Sequence, residues 1–184
     1  MSETGNATRR AHRAVEREAL AATHFLSGLK GSSLLSAWED WAIRWRIAAD
    51  LTEGLVRRSP AVAAPLNELV ARRTNDAGLA YVWACGNAER HNPDGSADAG
   101  KAVAIGLPPG ALSGYIEHIS IKDGEVIGLG AHSGVLIDAD SGELILKSVS
   151  HQRQSISPPN NMTPEKLCAV GHRYISDLWA LVVG

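Results

Sequence analysis

Apolar positions recur three and four residues apart through residues 8 to about 73, then largely in alternation from about 101 to 156. That change of period predicts helices followed by strands: an α+β chain with segregated elements, not an alternating α/β fold. Thr8 is placed to cap a first helix running to about Leu29, with Ala11, Val15, Ala19, Ala22, Leu26 and Leu29 on one narrow face. Arg9, Arg13 and Arg17 fall elsewhere on it. A second helix starts at Ser32 or Ser33 and runs to about Arg57. Leu34, Trp38, Trp41, Trp45, Ala48, Ala49, Leu55 and Val56 share its broad apolar face. A separate stripe, Ile43, Ile47 and Leu51, lies opposite at i, i+4, i+8. Glu39, Arg46, Asp50 and Glu53 occupy one strip between the two faces, and Asp40 and Arg44 the other. A helix apolar on two sides needs neighbours on two sides, so Ile43, Ile47 and Leu51 are the expected interaction residues.

Ser59-Pro60 opens a third helix, which ends near Arg72-Arg73, where cations suit the dipole. Asn75, Asp76 and Gly78 read as breakers. Leu79 to Ala84 is too short for its period to separate strand from helix. The polar stretch 86–100 reads as an exposed loop. Strands follow at 102–107, 115–121, 126–129, 132–137 and 143–149, with an Asp123-Gly124 hairpin turn, a bulge at Gly130 and a second turn at 138–142. A linker covers 155–161. Thr163-Pro164-Glu165 then starts a last helix with core face Leu167, Gly171, Tyr174, Leu178 and Leu181. The expected architecture is a three-helix N-terminal layer (8–75) followed by a four- to five-stranded antiparallel meander closed by a C-terminal helix (79–184), within one cooperative domain.

Composition narrows the function classes. With 184 residues, 45% hydrophobic and 21% charged, the chain can bury a true core. A net charge of −2 gives no general attraction to nucleic acid or anionic membrane. The charge is uneven: residues 1–75 hold 11 Lys/Arg against 8 Asp/Glu, and the rest 7 against 12, so the helical half is the basic one. Two cysteines do not make a disulfide framework, and neither a leader-like start nor an apolar run of spanning length occurs. A soluble, cytoplasmic protein is expected.

Each candidate for chemistry competes with a plainer reading. Cys168 and His172, at i, i+4, can share one helix flank, as a thiolate–imidazole pair or two metal ligands would. His132 opens the strand HSGVLIDADSGELI, which resembles the strand opened by the catalytic histidine of NlpC/P60-type cysteine hydrolases. That resemblance implies a cysteine at a helix start, where neither Cys85 nor Cys168 is placed. GVLIDADSGELI also resembles the strand–turn–strand ending of small immunity-type proteins with cystatin-like sheets. Asp138-x-Asp140-x-Gly142 is similar to part of a calcium loop but has its glycine at the fifth place, so a β-turn is expected. Arg17 and His24 have the spacing of HEPN-type ribonucleases, a resemblance that implies an RNA-acting helical dimer. No phosphate loop, zinc ribbon or HExxH occurs.

The function read from the sequence is a protein-interaction or accessory protein without its own catalysis. It is expected to bind a protein partner or a second copy, and to use no cofactor, metal, membrane or nucleic acid. The alternative is a small enzyme built on His132, Cys168 and His172, with His118 or His151 drawn into the same pocket.

Overall fold

The computed structural model describes residues 3–91, 95–99, 104–106, 116–122, 125–131, 136–138, 143–152 and 154–184, with only the backbone path of the strands between 104 and 138. The chain is α+β. Helices α1 (Glu3–Phe25), α2 (Gly31–Val56), α3 (Ala63–Asn75, after a 3₁₀ turn Pro60–Val62), α4 (Ala77–His91) and α5 (Pro164–Val183) form the body. None of the helices among the described residues is long and apolar enough to cross a membrane.

Helix α2 is the axis of that body. Trp38, Trp41 and Trp45 are completely buried, with Ala42, Ala48, Ala49 and Val56 around them, as its period predicts. Each indole N–H has a partner on a different element, which a buried donor requires. Trp38 donates to Ser96 Oγ (2.8 Å), Trp41 to Glu18 Oε1 (3.0 Å) and Trp45 to the Gly171 carbonyl (2.7 Å). One predicted charged strip of α2 is covered in part, Asp50 remaining exposed. Glu53 is buried and accepts from the Tyr174 hydroxyl at 2.7 Å, with Arg73 Nε 3.3 Å away. Arg46 and Arg73 lie over the Trp83 ring at 3.3 and 3.5 Å.

Helix α1 buries a different face from the one predicted. Ala14, Glu18, Ala21 and Phe25 join Ala11 and Ala22 inside, while Leu26 is exposed. The Phe25 ring explains the rotation: it packs on both Trp38 and Trp41, and its larger apolar surface outweighs that of Leu26.

A fourth helix replaces the ambiguous segment and part of the predicted loop. Asp76 is not a breaker but a cap, its Oδ1 accepting from the Leu79 N–H at 2.9 Å. Gly86, read as a turn residue, lies where α4 crosses α2: a Cβ there would stand 2.6 Å from Arg46 Cβ and 2.8 Å from the Ala42 carbonyl.

The strands do not form the expected four- to five-stranded sheet. Among the described residues β1 (Ala97–Ala99) pairs with β6 (Leu144–Leu146), and β2 (Ala104–Gly106) with β5 (Leu136–Asp138). The last two pairs are β3 (Ile116–Lys122) with β4 (Glu125–Ala131), and β7 (Val149–His151) with β8 (Gln154–Ile156). All four ladders are antiparallel. The first three nest, first strand with last. Their pairing is nested along the chain, rather than in the sequential order of a meander. The β1–β6 ladder packs on α2. The bulge predicted at Gly130 is on the other limb, where Glu117 is the extra residue opposite Gly130 and Ala131. Strand β8 occupies the start of the predicted linker. His132 and the turn residues 139–142 lie outside the described residues, as does the side chain of His118.

A half-buried polar knot ties the β1–β6 ladder to α4. Glu89 Oε1 accepts from both the backbone N–H and the hydroxyl of Ser96, while Tyr81 donates to the Lys147 carbonyl at 2.8 Å. Helix α4, which the sequence left undecided, therefore sets where the β1–β6 ladder is held against the helices.

Helix α5 packs on α1, α2 and α4 through Leu167, Cys168, Gly171, Tyr174, Ile175 and Leu178. Its start follows the sequence: Thr163 caps it by accepting from the Lys166 N–H, with Pro164 next.

Candidate functional site: an arginine-lined cleft between the first two helices

The second stripe of α2 points toward α1 and is only partly covered by it. Ile47 remains 39% exposed, whereas Ile43 and Leu51 are half-buried. Ile47 and Leu51 form the apolar side of a cleft of about 310 Å³, with Ala14 behind them. Arg10, Arg13 and Arg17 from α1 and Arg44 from α2 surround it. The helical period causes this: residues 10, 13 and 17 sit one above another on one flank of α1.

The charges are not cancelled locally. Arg44 is held by Asp40 through Nε, at 2.8 and 2.7 Å to the two carboxylate oxygens, a pairing that raises its already high pKa. Arg10, Arg13 and Arg17 are exposed and have no ion-pair partner among the described residues. Glu16, which borders the outer side of α1 with Arg13, Arg17 and the 71%-exposed Leu20, is itself 3.6 Å from His12. The result is a cationic rim around an apolar floor, chemistry that suits an anionic ligand with an apolar side.

The other predicted residues fall in three places. Arg17 lines the arginine cleft, while His24 lines a neighbouring one with Ser32, Ser33, Ser36 and Asp40. Among the described residues no hydrogen bond or ion pair joins the two. His151 is on β7, its Nδ1 2.9 Å from Asn87 Nδ2. Burial first, then Arg46 and Arg73, push its pKa down. Cys168 and His172 do share a cleft, of about 470 Å³ between α1 and α5. His151 takes no part in it, and the other two groups of the enzyme alternative, His132 and the His118 side chain, lie outside the described residues.

Within that second cleft the thiol is ill suited to attack. Burial, then Glu18 and Glu165, push the Cys168 pKa up to about 12, where the reactive thiolate is scarce at neutral pH. Iodoacetamide at pH 7 is therefore expected to label Cys168 far more slowly in the folded protein than in urea. Rapid stoichiometric labelling of the folded chain would show a thiolate and contradict this assignment. Among the described residues no group of three or more His, Cys, Asp or Glu could hold a metal ion.

Sequence reasoning missed Glu18. It is completely buried and bridges Trp41 and His172, with Oε2 2.8 Å from His172 Nδ1. A charged residue at helical spacing from Ala11, Ala14, Ala22 and Phe25 is the signal that could have found it. No family model, curated protein or solved structure matches this chain.

Proposed function

We propose that this is a binding protein without its own catalysis, whose partner presents an acidic, amphipathic segment to the α1–α2 cleft. The carrying observation is the set of three guanidinium groups, Arg10, Arg13 and Arg17, without an ion-pair partner among the described residues and beside the exposed Ile47. Arginine pairs well with carboxylates, by a planar fork of donors. Rim charges of this kind chiefly speed association and weaken in salt, while an apolar anchor in the centre supplies the durable part of affinity. Ile43, Ile47 and Leu51 are thus assigned to interaction, with Ile47 as the anchor.

Fluorescence anisotropy with a synthetic helical peptide rich in Glu and Leu tests the reading, a Lys/Leu peptide of equal length serving as control. Preferential binding of the acidic peptide is expected, weakening as salt is raised. Ile47→Asp should lower its affinity about tenfold, or 1.4 kcal/mol, and the pair Arg13→Glu and Arg17→Glu should mainly slow its association. Equal binding of both peptides would sink the proposal. Tighter binding of a mixed-sequence RNA would replace it with the ribonucleic-acid reading, and a drop in particle size for Ile47→Asp in light scattering would give the stripe to a second copy.

A further inference from the structure

The cleft between α1 and α5 contains a histidine arranged for a different task. His172 is 44% exposed, yet its Nδ1 lies 2.8 Å from the wholly buried carboxylate of Glu18. An ionised carboxylate can only accept, so the neutral ring paired with one carries its proton on Nδ1 and its lone pair on Nε2. The second oxygen of Glu18 is engaged by the Trp41 N–H at 3.0 Å, which fixes the carboxylate and through it the ring. Small side chains, Ala19, Ala22 and Ala169, line the cleft around the imidazole, and Arg173 borders it.

We infer that His172 is a phosphoryl-accepting histidine, modified on Nε2 by a small phosphoryl donor such as a phosphoramidate or an acyl phosphate. The Nε2 lone pair attacks phosphorus, and the bond from phosphorus to its leaving group breaks, the electron pair departing with that group. For phosphoramidate the group leaves as ammonia. The ring gains a positive charge shared by Nδ1–H, which Glu18 stabilises by accepting that proton in a charge-assisted hydrogen bond. Arg173 supplies the cation for the phosphoryl oxygens, which favours this electrophile over an uncharged acyl group. Glu18 acts as a positioning residue. The site lies on the opposite flank of α1 from the arginine cleft and does not depend on the binding reading.

The test treats folded protein with phosphoramidate, quenches in alkali and maps phosphohistidine by mass spectrometry. The exposed His24 and His91 of the same chain serve as internal standards. His172 is expected to react about ten times faster than either, the lower end of what outer-shell carboxylates contribute where a histidine binds a metal. Glu18→Gln, which keeps an acceptor for Trp41, should bring it down to their rate. In urea the wild-type advantage should vanish, a comparison that holds even if the variant folds poorly. Arg173→Ala should slow phosphoramidate but not the uncharged diethyl pyrocarbonate. A folded wild-type rate at His172 no higher than at His24 and His91 would overturn the inference. So would an advantage with diethyl pyrocarbonate alone.

Discussion

Trp45→Ala is expected to cost about 3–5 kcal/mol of stability, the upper range for deleting a buried aromatic. The indole is completely buried and meets Trp83 edge-on at 6.1 Å and Tyr174 at 6.0 Å. Its N–H reaches the Gly171 carbonyl, so one side chain joins α2, α4 and α5. The void cannot close easily. A glycine faces it on α5: a Cβ on Gly171 would stand 2.9 Å from Trp45 Nε1, so no neighbouring side chain there can swing in. Trp45→Phe keeps much of the volume and loses mainly the hydrogen bond, so about 1–2 kcal/mol is expected. Urea melts followed by far-UV circular dichroism measure both. A loss under about 1 kcal/mol for Trp45→Ala would place the residue among ordinary surface substitutions and contradict the core.

The Trp face was legible because α2 is long. Over 26 residues a 3.6-residue period separates one face from the other, and the three tryptophans fall on the buried side. Helix α5 was legible for the same reason and because its cap and proline mark its start. Strands between 102 and 149 were recognisable, but their partners were not. Alternation identifies a strand without saying what lies beside it, and the Asp123-Gly124 turn fixes only the pair next to it. Pairing Ala97 with Leu146 depends on where α2 and α4 hold the β1–β6 ladder, through Ser96, Glu89 and Tyr81.

The candidate site was half legible. Ile43, Ile47 and Leu51 stood out as a second stripe, and Arg13 and Arg17 as residues off the apolar face of α1. That the two meet in one cleft depends on how α1 rotates on α2, which the Phe25 ring decides. Glu18 was not legible because its partners are distant in sequence: Trp41 is 23 residues away and His172 is 154.

Gly86→Val is expected to destabilise by about 2–3 kcal/mol, because overfilling a packed contact forces helices apart. The two nearest atoms to a Cβ at this position are Arg46 Cβ and the Ala42 carbonyl oxygen, at 2.6 and 2.8 Å. Neither is the free end of a flexible side chain. The backbones of α2 and α4 must separate, disturbing the Arg46 guanidinium over Trp83 and the Asn87–His151 contact one residue on. Gly54 is the matched control. It too lies within a helix, but a Cβ there meets nothing within 4 Å. Gly54→Ala should therefore raise stability by about 0.5–1 kcal/mol, through lower chain entropy in the unfolded state. Opposite signs at the two glycines, in matched thermal or urea melts, are the expected result. A neutral or stabilising Gly86→Val would mean that α4 does not cross α2 at this point, and the loop reading of residues 86–91 would return.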